Sequence, residues 1–170
     1  TALKLFATRG FGNTSISLIA STAGVAQGLM YNYFLSKKDL LFEIITRGFA
    51  DITKSLEPYR DSTLTPQQAI EAHIIKTFEI IKEHNELWRL LHAIRLQNKV
   101  HLTARNVFQD MIDDITKTFL PVFKKLGHPK PELEALLFLS QIDGLALLYL
   151  QDNSIPIDKL SRQLIQRYTK

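Results

Sequence analysis

The sequence predicts an all-α protein of about nine helices. Three observations predict it. Nearly every long segment repeats its apolar residues at intervals of three and four. No segment alternates apolar and polar residues over a useful length. Helix start and stop signals punctuate the chain throughout. The 170 residues suffice for one compact unit or two small ones sharing a core.

The first helix spans residues 1–9, with Leu3, Leu5 and Phe6 apolar, and Gly10 ends it. The second spans 15–23; Gly24 follows as a left-handed stop. The third spans 26–34. Ser36-Lys37-Lys38-Asp39 is a capping box for the fourth, with Ser36 as N-cap. Its apolar stripe is Leu40, Leu41, Ile44, Ile45, Phe49 and Ile52, and Pro58 stops it. The fifth opens on Thr65-Pro66-Gln67-Gln68, an N-cap with proline at N1 and an amide at N3. Its stripe is Ile70, Ile74, Phe78 and Ile81. The sixth spans about 86–97 and the seventh about 103–126, where Pro121 predicts a kink. GHPKP, at 127–131, breaks the chain. The eighth helix spans 132–151 and, after DNSIP, the ninth spans 157–168.

Composition narrows the chemistry. There is no cysteine, hence no disulfide, no thiolate zinc site and no cysteine nucleophile. The five histidines show neither HExxH nor Glu-x-x-His spacing, and no glycine-rich phosphate loop exists. Asp113 and Asp114 are adjacent, so a helix points them about 100° apart, unlike an acid/base pair. We therefore expect no catalytic residues, no metal, no cofactor and no enzyme activity. The net charge is +4, and residues 1–50 hold Lys4, Arg9, Lys37, Lys38 and Arg47 against only Asp39 and Glu43. That bias suits contact with a polyanion.

Two short helices joined by a tight glycine turn form a helix-turn-helix. Ile16 and Ile19 are expected to face inward, with Ala20 small at the helix crossing and Val25 plugging the corner. Met30 and Phe34 are the expected buried side of the third helix. Gln27, Gly28, Leu29, Tyr31, Asn32 and Tyr33 are then left facing out. A DNA major groove offers donors and acceptors to amides, methyls to apolar groups and phosphates at its rim. Gln27 and Asn32 suit base edges, and Tyr31 and Tyr33 suit phosphates. Gly28 permits close approach. Lys37, Thr14 and Ser15 sit at helix starts, where phosphates are held.

Residues 1–46 resemble the DNA-binding domain of the TetR family of bacterial transcriptional regulators. The resemblance rests on Ala2, Leu5, Phe6, Gly10, Phe11, Thr14, Ser15, Ile19, Ala20, Ala23, Gly24, Val25, Gly28, Tyr31, Tyr33, Phe34, Lys37 and Leu40, and is most specific over AGVAQGLMYNYFLSKKDLL. Ala26 departs from the pattern, standing where a serine or threonine often caps the third helix. Thr1 lies in mid-pattern, so residues are expected to precede it. The resemblance implies a helix-turn-helix DNA-binding domain at 1–46 and an effector-binding and dimerisation domain at 47–170. It also implies a cytoplasmic homodimer that represses by binding a near-palindromic double-stranded operator, two recognition helices entering successive major grooves. A small-molecule effector would release it.

The eighth helix has 13 apolar residues among the 18 from 133 to 150. One buried face does not need so many. Glu134, Ser140, Gln141 and Asp143 interrupt the run, so no membrane span is expected. We expect one face on the core and one on a partner copy, with Ser140 and Gly144 letting a second helix approach. The expected dimer interface is Ser140, Gly144, Leu147, Leu148, Ile157, Leu160 and Leu164. The family's ligand site lies among helices four to eight, which hold Phe78, Trp88, His92, Arg95, Phe108, Ile112, Phe138 and Gln141. Trp88, His92 and Arg95 share one helix face at i, i+4 and i+7. Two alternatives remain open: a dimeric helical interaction protein, and a regulator of this fold without a small-molecule effector.

Overall fold

The computed structural model describes the backbone of residues 1–56, 63–95 and 102–169, and their side chains apart from 51–56, 102–108 and 111. Among the described residues there are nine helices and no strand: α1 Ala2–Arg9, α2 Ile16–Ala23, α3 Gln27–Tyr33, α4 Lys37–Leu56, α5 Pro66–Glu83, α6 Asn85–Arg95, α7 Leu102–Lys125, α8 Pro131–Gln151 and α9 Ile157–Thr169. The expected stop at Pro58 and the expected end of the sixth helix at Gln97 lie outside the described residues.

The helix ends form where local chemistry dictates. The Thr65 hydroxyl accepts from the Gln68 N–H at 3.2 Å, and the Gln68 side chain accepts from the Thr65 N–H at 2.9 Å, a reciprocal capping box. The Ser36 hydroxyl accepts from the Asp39 N–H at 3.2 Å. Gly127 takes φ 77° after α7, a conformation that costs any residue with a Cβ. Pro121 stands inside α7, which continues to Lys125.

The described residues divide into two compact units, Thr1–Asp51 with His84–Phe108, and Ile52–Glu83 with Gln109–Lys170. In the first, α1 packs on α6 and α2 on α3. Phe6, Ile16, Ile19, Ala20, Leu40, Leu41, Ile45 and Phe49 are buried, as are Leu87, Leu90, Leu91 and Ile94 of α6. Gly48 lies so close to Leu87 that a Cβ there would run into the leucine side chain.

In the second unit, α9 lies against α5 and α8. Lys82 and Asp158 form an ion pair between α5 and α9. The core includes an aromatic cluster: the Phe138 ring lies 4.9 Å from Phe119, 5.6 Å from Phe123 and 5.1 Å from Tyr168. His73 is buried beside it, 4.7 Å from the Phe119 ring, and burial lowers its pKa to about 4.

By length and composition α8 could cross a membrane. Its packing explains the composition differently. Ala135, Phe138, Ile142, Ala146 and Leu150 form a buried stripe at helical spacing. Leu133, Leu136, Leu137, Leu147 and Leu148 are exposed on the remaining surface of the helix.

Candidate DNA interface

The turn between α2 and α3 is built by Gly24, at φ 71° and ψ 27°. The Val25 N–H donates to the Ala20 carbonyl at 3.0 Å, and the Gly24 N–H to that of Ser21 at 3.2 Å. These bonds satisfy the open carbonyls of α2 and turn the chain into α3. At the other end of α2 the Ser15 hydroxyl accepts from the Leu18 N–H at 3.1 Å, an N-cap, and its own O–H is left to donate outward.

No residue of α3 is buried. Gln27, Gly28, Leu29, Tyr31, Asn32 and Tyr33 are all exposed, and Tyr33 is 75% exposed. A Cβ on Gly28 would meet nothing, so this glycine clears space outside the protein and relieves no internal contact. Met30 and Phe34 are only half-buried, and Val25 is 36% exposed. The inward side of α3 is thus the expected one but shallower, and the Val25 plug is corrected. A helix of under two turns has too little length to bury a stripe. Its N-cap, Ala26, makes no side-chain bond, as the residue type dictates.

Two expected phosphate contacts are placed differently. Thr14 is fully buried, and its hydroxyl donates to the Gly10 carbonyl at 2.9 Å and lies 3.3 Å from that of Leu5. Its hydroxyl is therefore structural, tying the end of α1 to the start of α2. The Lys37 ammonium donates to the Phe11 carbonyl at 2.7 Å and lies 4.4 Å from the Phe11 ring centroid. With the Gly12 carbonyl 3.4 Å away, that ammonium straps the α1–α2 loop to the start of α4 and has one N–H to spare. Lys38 beside it is exposed. Leu35, 89% exposed just past α3, is a surface residue that residue type alone did not single out. Its signal was an apolar residue wedged between Phe34 and the Ser36 N-cap.

The family model described as bacterial regulatory proteins, tetR family, matches residues 1–44. The HTH-type transcriptional repressor KstR2 of Rhodococcus jostii is 36% identical over 158 residues, covering 90% of this chain and 72% of that one. This chain belongs to the TetR family. A solved TetR-like transcriptional regulator from Rhodococcus sp. RHA1 matches with a TM-score of 0.82 at 22% identity, over 96% of this chain and 87% of that chain. FadR from Bacillus subtilis, solved in complex with stearoyl-CoA, matches with a TM-score of 0.80 at 18% identity, over 99% and 94%. Those two likenesses are of fold. With other curated relatives, YuxN of Bacillus subtilis and KstR2 of Mycobacterium tuberculosis, the chain spans about half of their length, 52% and 42%.

Within this TetR fold the expected effector residues fall into both units. The Trp88 and His92 rings lie 6.3 Å apart on α6, tilted at 37°, and Arg95 is exposed one turn on. The Trp88 indole N–H is buried without a hydrogen-bond partner among the described residues. In the second unit Phe78 and Phe138 are fully enclosed and Ile112 is half-buried. The Gln141 amide donates to the Tyr168 hydroxyl at 2.9 Å; burial, with Glu134 nearby, pushes that phenol up to about 12. The Phe108 side chain lies outside those described.

Ser140, Gly144, Leu148, Leu160 and Leu164 line a surface groove of about 500 Å³ between α8 and α9, with Gln141, Leu145, Gln163 and Arg167. Leu147 is exposed nearby on α8. Ile157 and Leu164, expected at a partner interface, are 3% and 4% exposed. They are spent inside the subunit, because α9 turns its own apolar stripe onto the core it shares with α5 and α8.

Proposed function

We propose that this chain is a homodimeric, cytoplasmic transcriptional repressor that binds a near-palindromic operator and leaves it when a small molecule binds. Residues 1–46 are the DNA-binding head, and 47–170 carry the effector and dimer functions. The observation that carries the reading is α3 itself, a helix held by a left-handed glycine with no residue buried. Ser15, Gln27, Gly28, Leu29, Tyr31, Asn32, Tyr33 and Lys37 are its DNA contacts.

The exposed leucines of α8, beside the α8–α9 groove, support a second copy as the partner. Ser140, Gly144, Leu147, Leu148 and Leu160 make the contact.

The effector contacts nearest a free donor are Trp88, His92 and Arg95, on one face of α6 in the first unit. The unpaired indole N–H of Trp88 supports a ligand carrying a hydrogen-bond acceptor, since a buried donor without a partner costs about 1–3 kcal/mol. Stearoyl-CoA in the Bacillus subtilis FadR makes long-chain acyl-CoA the first class to try.

The test is anisotropy of a random duplex pool titrated with protein at rising salt. Affinity falling steeply with salt supports the reading, because neutralised phosphates release counterions. No binding at low salt contradicts it and favours a protein-contacting module.

A further inference from the structure

The sequence of α3, QGLMYNY, contains no arginine, lysine, aspartate or glutamate. Guanine is read chiefly by arginine or lysine on O6 and N7, and cytosine by a carboxylate on N4. Neither group is present. The base-reading groups that α3 offers are the amides of Gln27 and Asn32, whose paired donor and acceptor match N7 and N6 of adenine.

With Met30 as the half-buried residue, the helical period sets Gly28 and Asn32 at the centre of the outward face. Leu29, 44% exposed, and Tyr31 flank them. The exposed large apolar and aromatic residues of positions 1–50 are Val25, Leu29, Tyr31, Tyr33 and Leu35, on or next to α3 in sequence, and Phe42 on α4. Phosphates and sugar edges offer such side chains little. The one apolar group on the floor of a major groove is the thymine methyl.

We propose that α3 reads A·T base pairs. Asn32 bonds adenine, Leu29 packs on thymine methyls, and the bare Gly28 lets the helix down onto them. Any guanine specified in the half-site lies beyond the reach of α3. The inference rests on the DNA-binding reading and names the sequence class that the same surface takes.

The experiment is selection from random duplexes with the full chain, repeated with Asn32→Ala and Leu29→Ala. The positions whose preference each variant loses are expected to be A·T. Uracil in place of thymine at the Leu29-dependent position removes only the methyl. It is expected to weaken the wild type about fourfold and leave Leu29→Ala unchanged. Because that substitution is on the DNA, it reads the contact even if a variant folds poorly. Asn32→Arg is expected to shift its position to G. Dependent positions that are G·C, or a uracil substitution without effect, overturn the A·T assignment while leaving DNA binding intact. Enrichment of no duplex overturns both readings together.

Discussion

The Lys37 ammonium lies 2.7 Å from the Phe11 carbonyl oxygen and 4.4 Å from the centre of the Phe11 ring. A lysine that the sequence offers to DNA is thus also a strap inside the protein. Lys37→Ala is expected to cost about 1.5–3 kcal/mol of stability, the range for a hydrogen bond to a charged group. The spare N–H of Lys37 is the DNA contact, so the same variant is expected to lower the salt slope of DNA binding by about one, and Lys38→Ala, at an exposed neighbour, to leave stability unchanged. Urea melts and salt titrations of both variants separate the roles; equal stability loss from both would contradict them.

Thr14 is similarly spent inside the fold. Thr14→Val keeps shape and removes the hydroxyl that donates to the Gly10 carbonyl. The expected result is a loss of about 1–2 kcal/mol. The DNA affinity of the folded fraction should stay the same. A weaker affinity at unchanged stability would restore Thr14 as a phosphate ligand.

Gly48 sits where a methyl would meet Leu87. In an open helix Gly→Ala adds about 1 kcal/mol of stability. Here overpacking should cancel or reverse that gain. In a Leu87→Ala background, itself destabilised, the same Gly48→Ala change is expected to stabilise. Equal effects in the two backgrounds, measured by thermal or urea unfolding, would mean that the contact carries no energy.

His73 makes stability depend on acid. Its folded pKa, near 4, lies below the ordinary value of 6.5, because burial among aromatic rings penalises the charged ring. Between those values the unfolded chain binds a proton that the folded chain does not. Stability is therefore full above pH 6.5 and falls as pH drops toward 4, by up to about 3 kcal/mol. Urea unfolding at pH 7.5 and 5 should show the fall in wild type and a smaller one in His73→Phe. Identical falls would remove His73 as the cause.

Gly144 gives a clean handle on assembly. A Cβ there meets nothing within the subunit, so Gly144→Leu should fold normally. Placed at a helix crossing between two copies, the leucine would overpack it. Light scattering is expected to show a monomer with unchanged helix content. A mutant that stays dimeric would move the interface to another face.

The described helix ends were legible to within about two residues because they are local chemistry: Gly24, the Thr65–Gln68 box and the Ser36 cap act over three or four positions. The open face of α3 was legible because Gln27, Gly28 and Asn32 suit no core. What escaped was set by contacts distant in sequence. Lys37 meets a carbonyl 26 residues away, and Thr14 reaches one nine residues back. Leu164 and Ile157 read as apolar, but only the packing of α9 decides that they face inward. The effector residues are the least legible, since an aromatic that lines a cavity and one that fills a core have the same periodicity.

The most direct test of the account is native mass spectrometry of the protein with its selected duplex. The account predicts two chains per duplex. One chain per duplex, or a dimer that binds no duplex, would contradict it.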